Sequence, residues 1–299
     1  MKKVAVFFKQ EGIMDYPFTK DEYLESYKEL DLEIKNLGAE FYIVRDNTTY
    51  LGNGVFSNSW KFIDNQVVET GEIKIDVIYD KGEFLSDDSL PVLNSKFVND
   101  VCTDKYKTYQ MFKEFCPETI LVNNEEEFEN ALLVLAGDKK VIKPLDGEEG
   151  NGVFIGDHEY LKSCQYGFAM LVQEFLDTSA GIPGIYVGIH DLRLVYINGE
   201  IIFSFYRTPP EGELLANISQ GGGVGLIDVN NLPNAVLEIS NIVKANFEGD
   251  YCFGIDIGFV DGTPKIIELN SRVGLQASSR GDVFVKFKKR IAELLVNMK

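Results

Sequence analysis

The segment GIDIGFVDGTPKIIELNSR, residues 254–272, constrains this chain more than any other stretch. Asp261-Gly262 is a hairpin turn signal between two runs of alternating character. In the first run Ile255, Ile257 and Phe259 alternate with Asp256 and Gly258, so Asp256 leaves the apolar face. In the second, Ile267 and Leu269 alternate with Glu268 and Asn270, which places those two polar side chains on one face. A hairpin then gathers two carboxylates and an amide, the hard oxygen donors that magnesium takes when it also holds phosphates. The same pattern equally describes an amphipathic hairpin with a wet polar face.

A hairpin needs a sheet to join, and the rest of the chain supplies strands and helices in alternation. At 299 residues, length suggests about two domains with sizeable cores. Residues 3–8 read as an apolar strand, and Thr19 with Glu22 as a capping box. A helix follows with Tyr23, Tyr27, Leu30, Ile34 and Leu37 at helical spacing and Gly38 as its stop, then a strand at 41–44. That is a strand-helix-strand opening with parallel-sheet logic. Another strand is expected at 74–79, then a polar connection at 88–94.

A second unit opens with a helix from Asp104 that carries Tyr106, Tyr109, Phe112 and Phe115, then a strand at 119–122. Asn124 with Glu127 caps a further helix bearing Phe128, Ala131, Leu132 and Leu135. Strands are expected at 140–143, 171–175, 192–197 and 201–206, the last two joined by an Asn198-Gly199 turn. Residues 221–225 read as a glycine-rich connection, residues 232–243 as a helix, and the C-terminal helix turns Phe284, Phe287, Ile291 and Leu294 inward.

Composition limits the partners. The formal charge of −18 argues against nucleic acid or an anionic membrane. No apolar run approaches the ~20 residues of a membrane span, and the chain opens on a strand rather than a signal peptide. Cys102, Cys116, Cys164 and Cys252 form no CxxC pair, and His158 and His190 are the only histidines, so zinc and a disulfide framework are not suggested. A reducing cytoplasm is the simplest setting. If the ligand carries phosphates, a few cations must build a local positive site inside an acidic molecule.

Several residues are candidates for that site. Gly147, Gly150 and Gly152 form a GxxGxG loop after a strand, where glycine lets backbone N–H groups approach phosphate oxygens. It is not a Walker A loop, because no Lys-Ser/Thr follows, and a flexible turn fits the glycines equally. Lys143 is a charge inside the apolar run VIKPL, and Asp191 and Arg193 share one face of HDLRLVY. A DxR pair alone reads as a structural salt bridge. Arg207 lies just past the next strand, and Asn217 sits in ANISQGGG.

Their order carries more than any one of them. A lysine at a helix start, a lysine before a glycine loop, a VQEFL strand, a DxR strand, an Asn-x-x-x-Gly-Gly segment and the Asp…Glu-x-Asn hairpin follow in sequence. This succession resembles the ATP-grasp superfamily, in the branch of ribosomal-protein glutamate ligases, prokaryotic glutathione synthetases and spore-coat-associated ATP-grasp proteins. It covers roughly residues 94–280. The resemblance implies an α/β (α+β) fold: an N-terminal parallel-sheet α/β domain over 1–97, a small central α+β subdomain over 98–178, and a C-terminal α+β subdomain over 179–299. By position, Lys105 and Lys143 match the nucleotide-phosphate lysines, and the glycine loop with Gln173, Glu174, Phe175 and Leu176 completes the ATP-binding set. Arg193, Arg207 and Asn217 match residues at the transferred phosphate. Asp256, Glu268 and Asn270 match the ligands of magnesium, two ions in number or manganese in their place.

The activity implied is ADP-forming ligation of a carboxylate to an amine through an acyl-phosphate, with an amino acid or peptide among the substrates. A small-molecule kinase and a non-catalytic ATP-binding protein are the alternatives. The partners implied are small-molecule carboxylate and amine substrates and, as an option, further copies of the chain. Two departures bear on the substrate. The segment 177–190 is longer than in the glutamate ligases, and Arg272-Val273 stands where many relatives have a proline. Arg272 is a candidate for pairing with a substrate carboxylate, or for an ordinary salt bridge. Asp256→Asn and Glu268→Gln are expected to cripple turnover with the fold intact.

Overall fold

The computed structural model describes residues 1–85, 89–147, 150–216 and 221–299. These fall into two compact units, one of Met1–Ser95, Gly249–Cys252 and Arg272–Lys299, the other of Lys96–Glu248 and Phe253–Ser271. Among the described residues no helix is long and apolar enough to cross a membrane.

The first unit opens with β1 (Lys3–Phe8), α1 (Asp21–Asn36) and β2 (Glu40–Arg45). Strands β1 and β2 pair in parallel with Lys3 opposite Glu40, as the strand-helix-strand pattern requires. The capping box does not form. Lys20 rather than Thr19 holds the cap position, with no side-chain bond because an ammonium cannot accept one, and Glu22 accepts from Arg280 Nη2 at 2.6 Å. Gly38 ends the helix in the left-handed region at φ 77°, as its place in the sequence suggests.

Short strands not anticipated from the sequence follow: β3 (Tyr50–Gly52), β4 (Val55–Phe56), β5 (Trp60–Ile63) and β6 (Gln66–Glu69). The strand expected at 74–79 is two, β7 (Ile73–Lys74) and β8 (Val77–Asp80), separated where Asp76 accepts a bond from the backbone of Lys3. With β9 (Val92–Leu93), the main sheet runs β6-β5-β2-β1-β8-β9, and β3-β4-β7 form a small second sheet. The core holds Ala5, Phe7, Val44, Phe56 and Ile78.

The second unit begins with α2 (Lys96–Thr103), a helix the sequence reading did not separate, and α3 (Lys105–Phe112), whose cap is Asp104 accepting from Tyr106 and Lys107. Then come β10 (Thr119–Val122), α4 (Glu125–Val134), β11 (Lys140–Pro144), β12 (Phe154–Gly156), α5 (His158–Ser163) and β13 (Met170–Glu174). Asn124 caps α4 through the Glu127 amide at 3.0 Å, as read from the sequence. The sheet β10-β13-β11-β12 is antiparallel and lies against Phe128, Ala131 and Leu132 of α4.

A five-stranded sheet follows, ordered β16-β15-β14-β17-β18. It is built from β14 (Asp191–Ile197), β15 (Glu200–Thr208), β16 (Gly223–Ile227), β17 (Cys252–Val260) and β18 (Thr263–Asn270), with α6 (Asn234–Lys244) between β16 and β17 in the chain. The glycine-rich stretch expected as a connection is therefore partly strand. Gly225 belongs there because a Cβ would come within 2.3 Å of the Tyr206 ring across the ladder. The chain ends with α7 (Asp282–Asn297), which packs on α1 in the first unit. Its buried stripe is Phe287, Lys288, Ile291, Ala292 and Leu295, so Phe284 and Leu294 are only partly covered. Lys288 shifts the stripe by seating its ammonium on Glu29 at 3.0 Å.

Candidate functional site

The site grows from two hairpins that lie side by side. Between β17 and β18, Asp261 and Gly262 take φ values of 49° and 79°, the left-handed pair of a tight two-residue turn. Continued evenly from that turn, the ladder would set Asp256 against Ile267. A bulge between Asp256 and Ile257 shifts the register, so Asp256 lies opposite Glu268 and Gly254 opposite Asn270. The bulge also moves the apolar pattern of β18: Ile266 and Leu269 are buried, and Ile267 is only partly so.

The β14–β15 hairpin repeats the arrangement. Asn198 and Gly199 form its turn at φ 46° and 82°, and a bulge between Val195 and Tyr196 brings Asp191 opposite Arg207. Because β14 neighbours β17, the side chains of the two hairpins meet. Arg193 grips Asp256 with Nε on Oδ1 and Nη2 on Oδ2. Arg207 Nη2 donates to Asp256 Oδ2 at 2.7 Å and also to Asp191. Glu268 stands 3.7 Å from Arg193.

The charges shape one another. Burial alone would raise the Asp256 carboxyl, but Arg193 and Arg207 hold it down at about 2. Burial pushes Asp191 up to about 7, with Asp256 adding to the rise and Arg207 opposing it. Burial and the Asp256 charge both raise Glu268, against Lys105, Arg193 and Lys143.

The opposite wall is cationic. Lys143 of β11 is buried, and its ammonium donates to Gln173 Oε1 at 2.8 Å. Gln173 in turn donates to Thr119 Oγ1 at 2.6 Å. Burial lowers the Lys143 pKa to about 8, offset in part by Glu268. Lys105, first residue of α3, donates its ammonium to the Gly147 carbonyl at 2.8 Å, so it holds the glycine loop. Gly147, Gly150 and Gly152 sit at φ 116°, 72° and 73°, conformations that exclude most other residues.

The remaining candidates divide. The Glu174 backbone N–H donates to the Glu118 carbonyl at 3.0 Å, and Phe175 lies under the Lys139 ammonium at 5.9 Å. Leu176 is partly exposed just beyond β13. Asn217 lies outside the described residues. Arg272 falls in the first unit, where it pairs with Glu83 at 2.9 Å. Arg193, Arg207, Asp256 and Glu268 are thus brought together, and the Lys105 and Lys143 charges bear on Glu268. The functional reading of the sequence passed over Asp191, which a lone DxR assigns to a salt bridge. Its alignment with Arg207 depends on a bulge that no residue pattern announced.

The donor set suits magnesium. Asp256 and Glu268 bring two carboxylates together, and the Asp256 charge that raises Glu268 is a cost a dication would relieve. No three acids, histidines or cysteines converge into a closed cage among the described residues. Two carboxylates and an amide leave positions for water and phosphate oxygens, which magnesium prefers.

Comparison with known proteins bears on the family and the fold. A family model described as the RimK-like ATP-grasp domain matches residues 102–295. A probable alpha-L-glutamate ligase of Legionella pneumophila is 26% identical over 193 residues, 62% of this chain and 60% of that protein. The chain therefore spans about three fifths of the curated relative's length. Among solved structures, a RimK domain ATP-grasp protein from Sphaerobacter thermophilus superposes with a TM-score of 0.62 at 15% identity, covering 99% of this chain and 100% of that one. The macrocyclase MdnC from Microcystis aeruginosa, bound with precursor peptide MdnA, gives 0.60 at 16% identity, covering 99% and 100%. With a family match over most of the chain and a shared fold, this protein belongs to the RimK-like ATP-grasp family.

Proposed function

We propose that the protein is an ATP-dependent, ADP-forming carboxylate–amine ligase that joins an amino acid or peptide to a carboxylate. The observation that carries this reading is the convergence of Asp256 and Glu268, in register across one hairpin, with Arg193 and Arg207. That set balances acids against cations inside an acidic chain, as a site for a phosphate chain and its metal must.

In this reading ATP lies between the sheet of β11 and β13 and the sheet of β14 and β17. Gln173, Glu174, Phe175 and Leu176 border the base and ribose, and Lys105 and Lys143 take the phosphates. Asp256, Glu268 and Asn270 hold magnesium, two ions or manganese in their place. Magnesium held by these residues would supply positive charge that offsets the charge of the phosphates. Arg193 and Arg207 stabilise the charge spread over the γ-phosphoryl group as it passes to the carboxylate. The amine then attacks the acyl-phosphate, and the same guanidiniums balance the tetrahedral adduct until phosphate leaves. Lys105, bonded to the Gly147 carbonyl, couples the glycine loop to the nucleotide, so that loop closure excludes water from the acyl-phosphate. Asn217 completes the phosphate site, and Arg272 takes a substrate carboxylate. The reaction is placed in the cytoplasm, with small-molecule or peptide substrates.

The relatives support the class of chemistry: one is named a probable glutamate ligase, and the macrocyclase was solved with a peptide. The test is ATP turnover with pooled carboxylates and amines. Release of ADP and phosphate only when both pools are present is expected, and Glu268→Gln should lower it by roughly 100-fold or more. A stable phosphorylated product with one pool would make the protein a kinase. Nucleotide binding without turnover would make it a binding protein.

A further inference from the structure

Two buried side-chain atoms of the site lack hydrogen-bond partners among the described residues, and they belong to the same pair: Asp191 Oδ1 and Arg207 Nε. The two side chains meet through one bond only, from Arg207 Nη2 to Asp191 Oδ2. That same nitrogen also reaches Asp256 Oδ2 at 2.7 Å. Arg207 is therefore shared between two acids and satisfies neither completely. A guanidinium presents Nε and Nη2 as a fork that matches both oxygens of a carboxylate. Asp191 and Arg207 are direct partners across β14 and β15, so the fork is within reach once the guanidinium turns from Asp256.

We propose that Asp191 is a positioning residue, the seat to which Arg207 withdraws as a two-bonded fork when Asp256 takes a cation. In the shared arrangement both Asp256 oxygens are occupied, by Arg193 on Oδ1 and by Arg193 and Arg207 on Oδ2. A carboxylate held this way has few lone pairs to give a metal. Withdrawal of Arg207 clears one side of Oδ2. It also joins Nε to Oδ1, so the two orphaned atoms satisfy each other and the lost Asp256 contact is replaced. One positive charge leaves Asp256 as another arrives, and Arg193 keeps the carboxylate in place. The inference rests on Asp256 as a metal ligand and adds how that ligand is released.

Mn2+ binding in the presence of a non-hydrolysable ATP analogue, followed by the electron spin resonance of free Mn2+, tests it. Asp191→Asn should weaken Mn2+ by roughly tenfold or more, the scale of groups that orient a metal ligand. Arg207→Gln serves as the background that has no guanidinium to seat, whatever its own Mn2+ affinity. In that background Asp191→Asn should change affinity by less than about twofold, since its effect runs through Arg207. Equal weakening in both backgrounds would overturn the proposal, because Asp191 would then act on the cation directly; so would no weakening in either. Asp256→Asn separates the two readings. Mn2+ binding unchanged by it removes the metal assignment and the proposal together, whereas binding lost there with Asp191→Asn silent removes the proposal alone. The wild-type protein supplies a second measure: the Arg207 Nε–H proton resonance should move downfield on adding Mg2+ and the analogue. A stationary resonance would also overturn the withdrawal.

Discussion

Lys143 and Arg193 are cations buried in neighbouring sheets of one unit, and their surroundings treat them oppositely. Lys143 is held by an amide, and burial lowers its pKa to about 8. Burial would lower Arg193 too, but the Asp256 carboxylate raises it above the ordinary arginine value. The difference lies in the partner. An amide brings no opposite charge and Glu268 offsets burial only in part, so the folded protein carries a strained cation that an anion relieves. Asp256 neutralises the arginine, so Arg193 is a structural ion pair that a ligand must share.

Breaking the compensated side has the largest expected effect. Asp256→Asn leaves Arg193 without its buried carboxylate and Arg207 with only Asp191, and should destabilise the protein by about 3–5 kcal/mol in urea denaturation. The sequence alone suggested an intact fold for this variant, and the two guanidiniums on Asp256 are the reason to expect otherwise. An unchanged denaturation midpoint would show that the pairing contributes nothing to stability.

The uncompensated side should respond with the opposite sign. Between pH 8 and 10.5 the folded protein has released the Lys143 proton while the unfolded chain retains it, so stability rises with pH across that window. Below pH 8 the whole cost is present, about 3 kcal/mol for a shift of that size. Lys143→Met should therefore raise the melting temperature at pH 7, flatten its rise above pH 8, and lose most nucleotide affinity. Wild-type nucleotide affinity should fall above pH 8, where the lysine is neutral. A variant that melts lower than wild type at pH 7 would show that the ammonium is not strained.

The smallest effect belongs to Arg272, a partly exposed cation in the first unit paired with a half-exposed Glu83. Arg272→Ala should change stability by less than about 1 kcal/mol. If Arg272 binds a substrate carboxylate, the KM for that substrate rises by roughly tenfold, a lost charged hydrogen bond, with the KM for ATP unmoved. Unchanged KM for both would leave Arg272 as a surface ion pair.

Much of this was legible in the residues. Asn198-Gly199 and Asp261-Gly262 are turns where they were expected, and Asn124 caps its helix. The parallel β1–β2 pair also follows from pattern, and Lys143 stands out as a charge in an apolar strand, though its burial does not follow from that. The short strands between residues 50 and 69 were not legible, because runs of two to four residues carry little periodicity. Thr19 does not cap its helix, which starts one residue later behind Lys20, and Glu22 pairs with Arg280, 258 residues away in the chain, which no local signal reports.

The sequence by itself determined where the hairpins turn, which residue types the chain could bring to a site, and the order that resembles ATP-grasp proteins. Local chemistry suffices for that, since a left-handed turn selects Asn, Asp or Gly, and a lone charge in an apolar strand stands out. Only the tertiary structure decided which acids meet which cations. Each hairpin carries one bulged residue, and without it Asp256 would face Ile267 and Asp191 would face Tyr206. Because side chains alternate along a strand, one added residue changes every partner beyond it. Where it is added depends on neighbouring strands and the side chains packed on them, which belong to the fold and not to the local sequence.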